Sequence, residues 1–439
     1  MKRFNRILIG IACFALLITS WVIAVNARSD SEKQLELMAR AAALTDDGIY
    51  VRAVPLLEEA ARYNAEHTLA AEAELKRVYL ALAGQRGFHR RYMNLLESQM
   101  SRKDAAPEIF AEAANYYLRI SRLPDALAAL RLGIERTGSE ALRGIYESNR
   151  YVFQTGRAVY DYAAAIQGSA AQVRVDGLWG IARADGALLI PCEYEKISTF
   201  SSDRAIVRQG DEIFAVNSDN NRVAKLQERV LEFGNLAGDR VPLLFEEGWR
   251  RATGEFIIGS SVFEQIGTYS GGFAAAKLDG AWGVIDLATN WLIPPEYDEI
   301  VLDELGRCYA RGAVFTRKGG AVYLYVDGLQ TEHVFEDARP FSGEGYAAVR
   351  NNGKWGYIDV DGTLVIDFFF DDALSFGQHL AAVKWGDLWG YISSYGQFAI
   401  NPIFIEAKSF SNGSAPVLTE RGWQFITLIE YMRGAGIGL

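Results

Sequence analysis

Residues 345–366 read GYAAVRNNGKWGYIDVDGTLVI, and this stretch decides the fold. Its β-branched, aromatic and small apolar residues fall into three short runs, separated by Asn352-Gly353 and Asp361-Gly362. Such dipeptides accept the positive φ of tight hairpin turns. The stretch therefore predicts a three-stranded meander, and FFDDALSF, residues 369–376, supplies a fourth short strand.

The pair at its centre, Trp355-Gly356, recurs as Trp179-Gly180, Trp282-Gly283 and Trp389-Gly390. Seven residues after the tryptophan come Gly186, Gly362 and Gly396; twelve after it, Pro191 and Pro294; fifteen after it, Tyr194, Tyr297, Phe370 and Phe404. Degenerate copies centre on Phe214, Trp249, Tyr323 and Trp423, with Arg250 and Gln424 in place of the glycine. A fixed period of this kind marks a repeat architecture, with about eight units running from near residue 170 to the end. These residues resemble the bacterial WG-repeat family over roughly the last three-fifths of the chain. The strand order and turn spacing are similar to a small propeller blade, and an open β-repeat stack is the alternative. A lone three-stranded sheet cannot cover its own apolar face, so Trp179, Trp249, Trp282, Trp355, Trp389 and Trp423 are expected to pack between units.

Between residues 31 and 161 the period becomes helical. The segment 106–138, APEIFAEAANYYLRISRLPDALAALRLGIERTG, places Tyr117 nine residues before Ala126, with apolar residues at three- and four-residue spacing. The same step joins Leu44 to Ala53 and Tyr79 to Phe88. These three segments resemble tetratricopeptide helix pairs, although the family's tryptophan and terminal proline are missing and Phe88 stands where a small residue is usual. They imply a TPR-like α-solenoid over residues 29–165, closed by a helix from Ser139 to Asn149, before the all-β WG-repeat domain of residues 166–439.

Lys2, Arg3 and Arg6 precede ILIGIACFALLITSWVIAV, residues 7–25, an uncharged run long enough to span about 30 Å of hydrocarbon as a helix. The expectation is an N-terminal transmembrane signal-anchor over residues 1–28. It places the protein as single-pass in the inner membrane with a periplasmic or extracellular body. Cleavage after Ala27, giving a secreted protein, is the alternative. Two cysteines, Cys192 and Cys308, are too few for a disulfide-built body.

The chain is acidic, with 45 basic and 55 acidic residues, and from residue 166 onward it carries 23 basic against 36 acidic. That field argues against nucleic acid as a partner. Arg86, His89, Arg90 and Arg91 form the one compact basic cluster, a solvated helix face or a candidate contact for an acidic segment of a protein partner.

Asp359-Val360-Asp361-Gly362-Thr363-Leu364 resembles the nucleophile motif of haloacid-dehalogenase phosphatases, but no alternating βα pattern follows it and the repeat frame accounts for each residue. It also lacks the sixth-position glycine and closing glutamate of a calcium loop. His67, His89, His333 and His379 are scattered, and no catalytic, cofactor or metal motif emerges. The expectation is a membrane-anchored, non-enzymatic scaffold that binds proteins at the cell envelope, with no cofactor. The alternative is a carbohydrate- or cell-wall-binding module, which requires several aromatic side chains to be exposed together.

Overall fold

The computed structural model describes residues 29–63, 65–225, 230–253 and 258–431. The chain divides into two units at Tyr146 and Glu147. Residues 29–46 form α1, followed by α2 (Tyr50–Arg62), α3 (Thr68–Ala81), α4 (Phe88–Met100), α5 (Pro107–Arg119), α6 (Leu123–Thr137) and α7 (Glu140–Asn149). Proline in the first turn opens α5 and α6, where a missing N–H costs nothing, and left-handed Gly138 closes α6. Tyr92, Tyr117, Phe110, Leu57, Leu96, Leu127 and Leu130 are the largest fully buried side chains of the helical unit's core. A Cβ at Gly133 would come within 2.7 Å of Phe110 and Leu142, so glycine there lets three helices close together. Buried Glu72 is neutralised by Arg102 and accepts a bond from Gln99 Nε2 at 2.8 Å, which satisfies an otherwise costly carboxylate.

The expectation of an N-terminal transmembrane helix is corrected. Among the described residues no helix is long and apolar enough to cross a membrane. The helices from Tyr50 onward have 10–15 residues, and at 1.5 Å per residue they fall short of about 30 Å of hydrocarbon. Residues 29–46 are longer but carry Asp30, Glu32, Lys33, Glu36, Arg40 and Asp46. The run 7–25 lies outside the described residues. The single-pass inner-membrane placement is therefore not retained.

The β unit holds eight antiparallel sheets among the described residues. After β1 (Phe153–Thr155), strands β2–β5 occupy residues 162–194, β6–β9 196–225, β10–β12 232–252, β13–β16 265–297, β17–β20 299–335, β21–β24 337–370, β25–β28 372–404 and β29–β31 406–428. The first seven groups are blades one to seven. In the eighth, β1 pairs with β31 (Gly422–Leu428), Phe153 opposite Leu428, so the start of the unit completes its last sheet. Gln424 Nε2 adds a bond to Gly156 O at 2.9 Å. This closure decides for an eight-bladed propeller over an open stack.

Each blade folds on local signals. Hairpins turn at Asp176-Gly177, Asp279-Gly280, Asp327-Gly328 and Asn352-Gly353, all with positive φ near 50° and 80°, the pattern of type I′ turns. The glycine of the Trp-Gly pair has a different cause. A Cβ at Gly180, Gly283, Gly356 or Gly390 would lie 2.4–2.7 Å from the carbonyl oxygen of Ile190, Ile293, Ile366 or Ile400 in the next strand. The ladder shifts register at the same place in all four blades. A bulge brings two backbones too close for any side chain.

The core is a series of layers between blades. Trp355 packs with Phe370, Ala373, Phe376 and Val383 at the junction of blades six and seven, and Trp389 with Phe404, Ala407 and Ala415 at the next. Trp423 lies with Tyr160, Ala163 and Val173 where the eighth blade meets the first. Trp179, Trp249 and Trp282 are half-buried at earlier junctions.

Candidate functional site

The first strand of each blade is short, and the connection after it faces the propeller centre. These connections share a pattern, visible as Ala373-Leu374-Ser375-Phe376 and Ala407-Lys408-Ser409-Phe410. The aromatic is buried, and the hydroxyl reaches the neighbouring blade. Thr199 Oγ1 donates to Leu236 O and Thr268 Oγ1 to Leu305 O, each at 2.6 Å; Ser409 Oγ donates to Ser375 O at 3.3 Å and Ser375 Oγ to Pro340 O. Neighbouring blades are stitched through backbone carbonyls that β pairing leaves free.

The ring is not symmetric. Between β17 (Glu299–Ile300) and β18 (Ala313–Lys318) the connection spans residues 301–312, whereas the seventh and eighth blades use only 374–379 and 408–413. The longer segment is folded on Asp303, whose carboxylate accepts from Leu305 N, Arg307 N and Arg307 Nε at 2.7–2.9 Å. It carries Leu305 O to Asn235 Nδ2 at 3.1 Å and Glu304 to the eighth blade, 3.3 Å from Lys408 Nζ. Gln167 Nε2 reaches across to Leu236 O at 2.8 Å. One side of the hub is thus filled, and the other side keeps a cavity of about 880 Å³.

Ion pairs line this cavity together with Tyr309, Phe341, Phe376, Trp389 and Phe410, and two of the cations also lie over junction tryptophans that are not part of the lining. Arg339 meets Asp372 at 3.3 Å and lies 4.7 Å above the Trp355 ring; Lys408 meets Glu406 at 2.7 Å and lies 5.3 Å above the Trp423 ring. Burial raises the Glu304 carboxyl above its ordinary range, with Lys408 opposing. Burial lowers the Lys408 ammonium, but Glu304 and Glu406 outweigh it, and the net shift is upward. Such a lining suits recognition of a polar, charged segment, with tyrosine, phenylalanine and tryptophan surfaces adding apolar contact.

The residues singled out from sequence lie elsewhere. Arg86 and Arg90 are exposed on the helical unit. His89 Nδ1 is 2.6 Å from Tyr116 Oη, and Arg91 pairs with Glu58 at 2.9 Å while covering the Phe88 ring, so half of the cluster is engaged internally. The six repeat tryptophans belong to blade junctions. Asp359 accepts from Asp361 N and Thr363 N at 3.1 and 2.9 Å, and Asp286 does the same for Ala288 and Asn290 in its own hairpin. Sequence reading missed Glu304, Arg339 and Lys408. The signal for Glu304 was the long interval between strands of the fifth blade.

A profile of the WG containing repeat matches residues 179–212, 282–302, 331–355, 355–389 and 389–423. No curated protein sequence matches the chain. Among solved structures, Hsv2p of Kluyveromyces lactis is 10% identical with a TM-score of 0.37, covering 61% of this chain and 96% of its own. A eukaryotic initiation factor is 11% identical with a TM-score of 0.38, covering 63% and 88%. The Pan2 WD40 domain of Neurospora crassa is 10% identical with a TM-score of 0.31, covering 53% and 88%. At these scores the likenesses carry no argument. The β unit is an eight-bladed propeller that carries WG-containing repeats, preceded by a helical unit.

Proposed function

We propose that the protein is a non-enzymatic interaction scaffold in which the propeller cavity receives a polar segment of a protein partner. The observation that supports this is the half-filled hub: the segment 301–312 floors it, and the first and the fourth to eighth blades contribute to its walls. The helical unit, read as TPR-like, offers Arg86 and Arg90 as a second, basic contact. The test places a photo-crosslinking amino acid at Ser342 or Ser411 on the cavity wall, with exposed Glu212 as the control. Discrete protease-sensitive adducts from both wall positions and none from the control support the reading. Adducts from the control alone overturn it.

The carbohydrate reading finds one supporting observation. Trp385 is 52% exposed, and Phe398, itself 39% exposed, lies 6.1 Å from it, with Phe369 also exposed nearby in sequence on the preceding blade. Trp385 and Phe398 are solvent-facing together, unlike the repeat tryptophans. A shift of Trp385 emission on titration with cell-wall oligosaccharides, lost in Trp385→Leu, supports that reading; an unchanged spectrum removes it.

A further inference from the structure

A second, smaller concavity of about 260 Å³ lies between the third and fourth blades, walled by Gly238, Arg240, Tyr269, Gly271 and Leu287. Tyr269 is 5% exposed, and its hydroxyl is fully buried without a hydrogen bond among the described residues. Arg240 has its Nε in the same condition, while another of its nitrogens holds Asp239 at 2.8 Å. Arg251 Nε is likewise buried and unbonded. Buried polar atoms of native folds are nearly always satisfied, so three orphaned donors in one region ask for a partner. All three want an acceptor.

The local carboxylate does not fill that role. Asp286 acts on Tyr269 through space, but its oxygens accept from Ala288 N and Asn290 N at 2.8 Å and from Asn290 Nδ2 at 3.0 Å within its own turn. We propose that this pocket binds a small oxyanion, a carboxylate or phosphate group, with the Tyr269 hydroxyl as donor and the Arg240 guanidinium as countercharge. Arg251, which is not one of the walls, adds to the positive field at Tyr269. Burial raises the Tyr269 phenol to about 12, so it remains a protonated donor at neutral pH, the two arginines opposing that shift.

The experiment follows the melting temperature of the full chain in sodium phosphate and in sodium acetate, each against sodium chloride at equal ionic strength. The expected result is a saturable rise with at least one anion; phosphate alone identifies a phosphate site, acetate a carboxylate site. Tyr269→Phe deletes a hydroxyl with no bond to lose, so without anion it melts no lower than wild type. In both Tyr269→Phe and Arg240→Gln the midpoint of the anion response moves at least tenfold to higher concentration. The proposal is overturned if neither anion exceeds the chloride control, or if Tyr269→Phe responds as wild type does.

Discussion

The hydroxyl of Tyr391, fully buried in β27 (Leu388–Ser393), donates to the backbone carbonyl of Lys408 in the next blade at 2.8 Å. Tyr357 repeats the relationship one blade earlier, reaching Leu374 O at 2.9 Å. Burial raises both phenols well above their ordinary value, so neither ionises in any physiological range. Each bond locks a blade to the connection that follows the first strand of its neighbour. Tyr391→Phe leaves a buried carbonyl unpaired and is expected to cost about 1–3 kcal/mol in urea unfolding, with the same range for Tyr357→Phe.

Trp355 and Trp389 are 3% and 8% exposed, whereas Trp385 is 52% exposed. Alanine at either buried position should cost roughly 3–5 kcal/mol through an emptied junction. Trp385→Ala should stay within about 0.5 kcal/mol. Equal losses at all three positions, measured by chemical denaturation, contradict the assignment of layers.

The Lys408–Glu304 pair leaves 14% and 22% of its side chains to solvent. Lys408→Met strands a mostly buried carboxylate and should cost on the order of 2 kcal/mol, below the 3–5 of a fully buried pair. Adding Glu304→Gln should restore much of that loss, as a double-mutant cycle measures. The raised Glu304 carboxyl binds its proton more readily in the folded than in the unfolded state. Folding stability from this group therefore falls as pH rises from about 4.5 to the raised value, a slope that Glu304→Gln removes.

Phe153, in the strand that completes the eighth blade, packs 6.0 Å from the Phe404 ring. Phe153→Ala should cost about 1–3 kcal/mol. Because it loosens the closure, hydrogen exchange should accelerate first in residues 414–428, the paired strands of that blade.

Reversing Arg86 and Arg90 to glutamate should leave the helical circular dichroism unchanged, since both side chains are exposed. Capture of an acidic partner segment should weaken and lose part of its salt dependence. Unchanged capture removes the basic contact from the scaffold reading.

Sequence alone determined the repeat period, the hairpin turns and the stretches that become helix. Those depend on neighbours within one unit, as at Asn352-Gly353, where φ is a property of two residues. It also marked the Trp-Gly pair, although the reason for its glycine is the backbone of another strand. Tertiary structure alone decided the closure, because Phe153–Thr155 carries no repeat signature and is recognised as part of a blade only when β31 presents a free edge to it. It alone decided which tryptophan meets solvent, since Trp385 and Trp389 differ in their place on a blade rather than in residue type. The site followed the same rule: Glu304 and Lys408 are far apart in the chain, and their pairing exists only because the ring turns the fifth and eighth blades toward one centre.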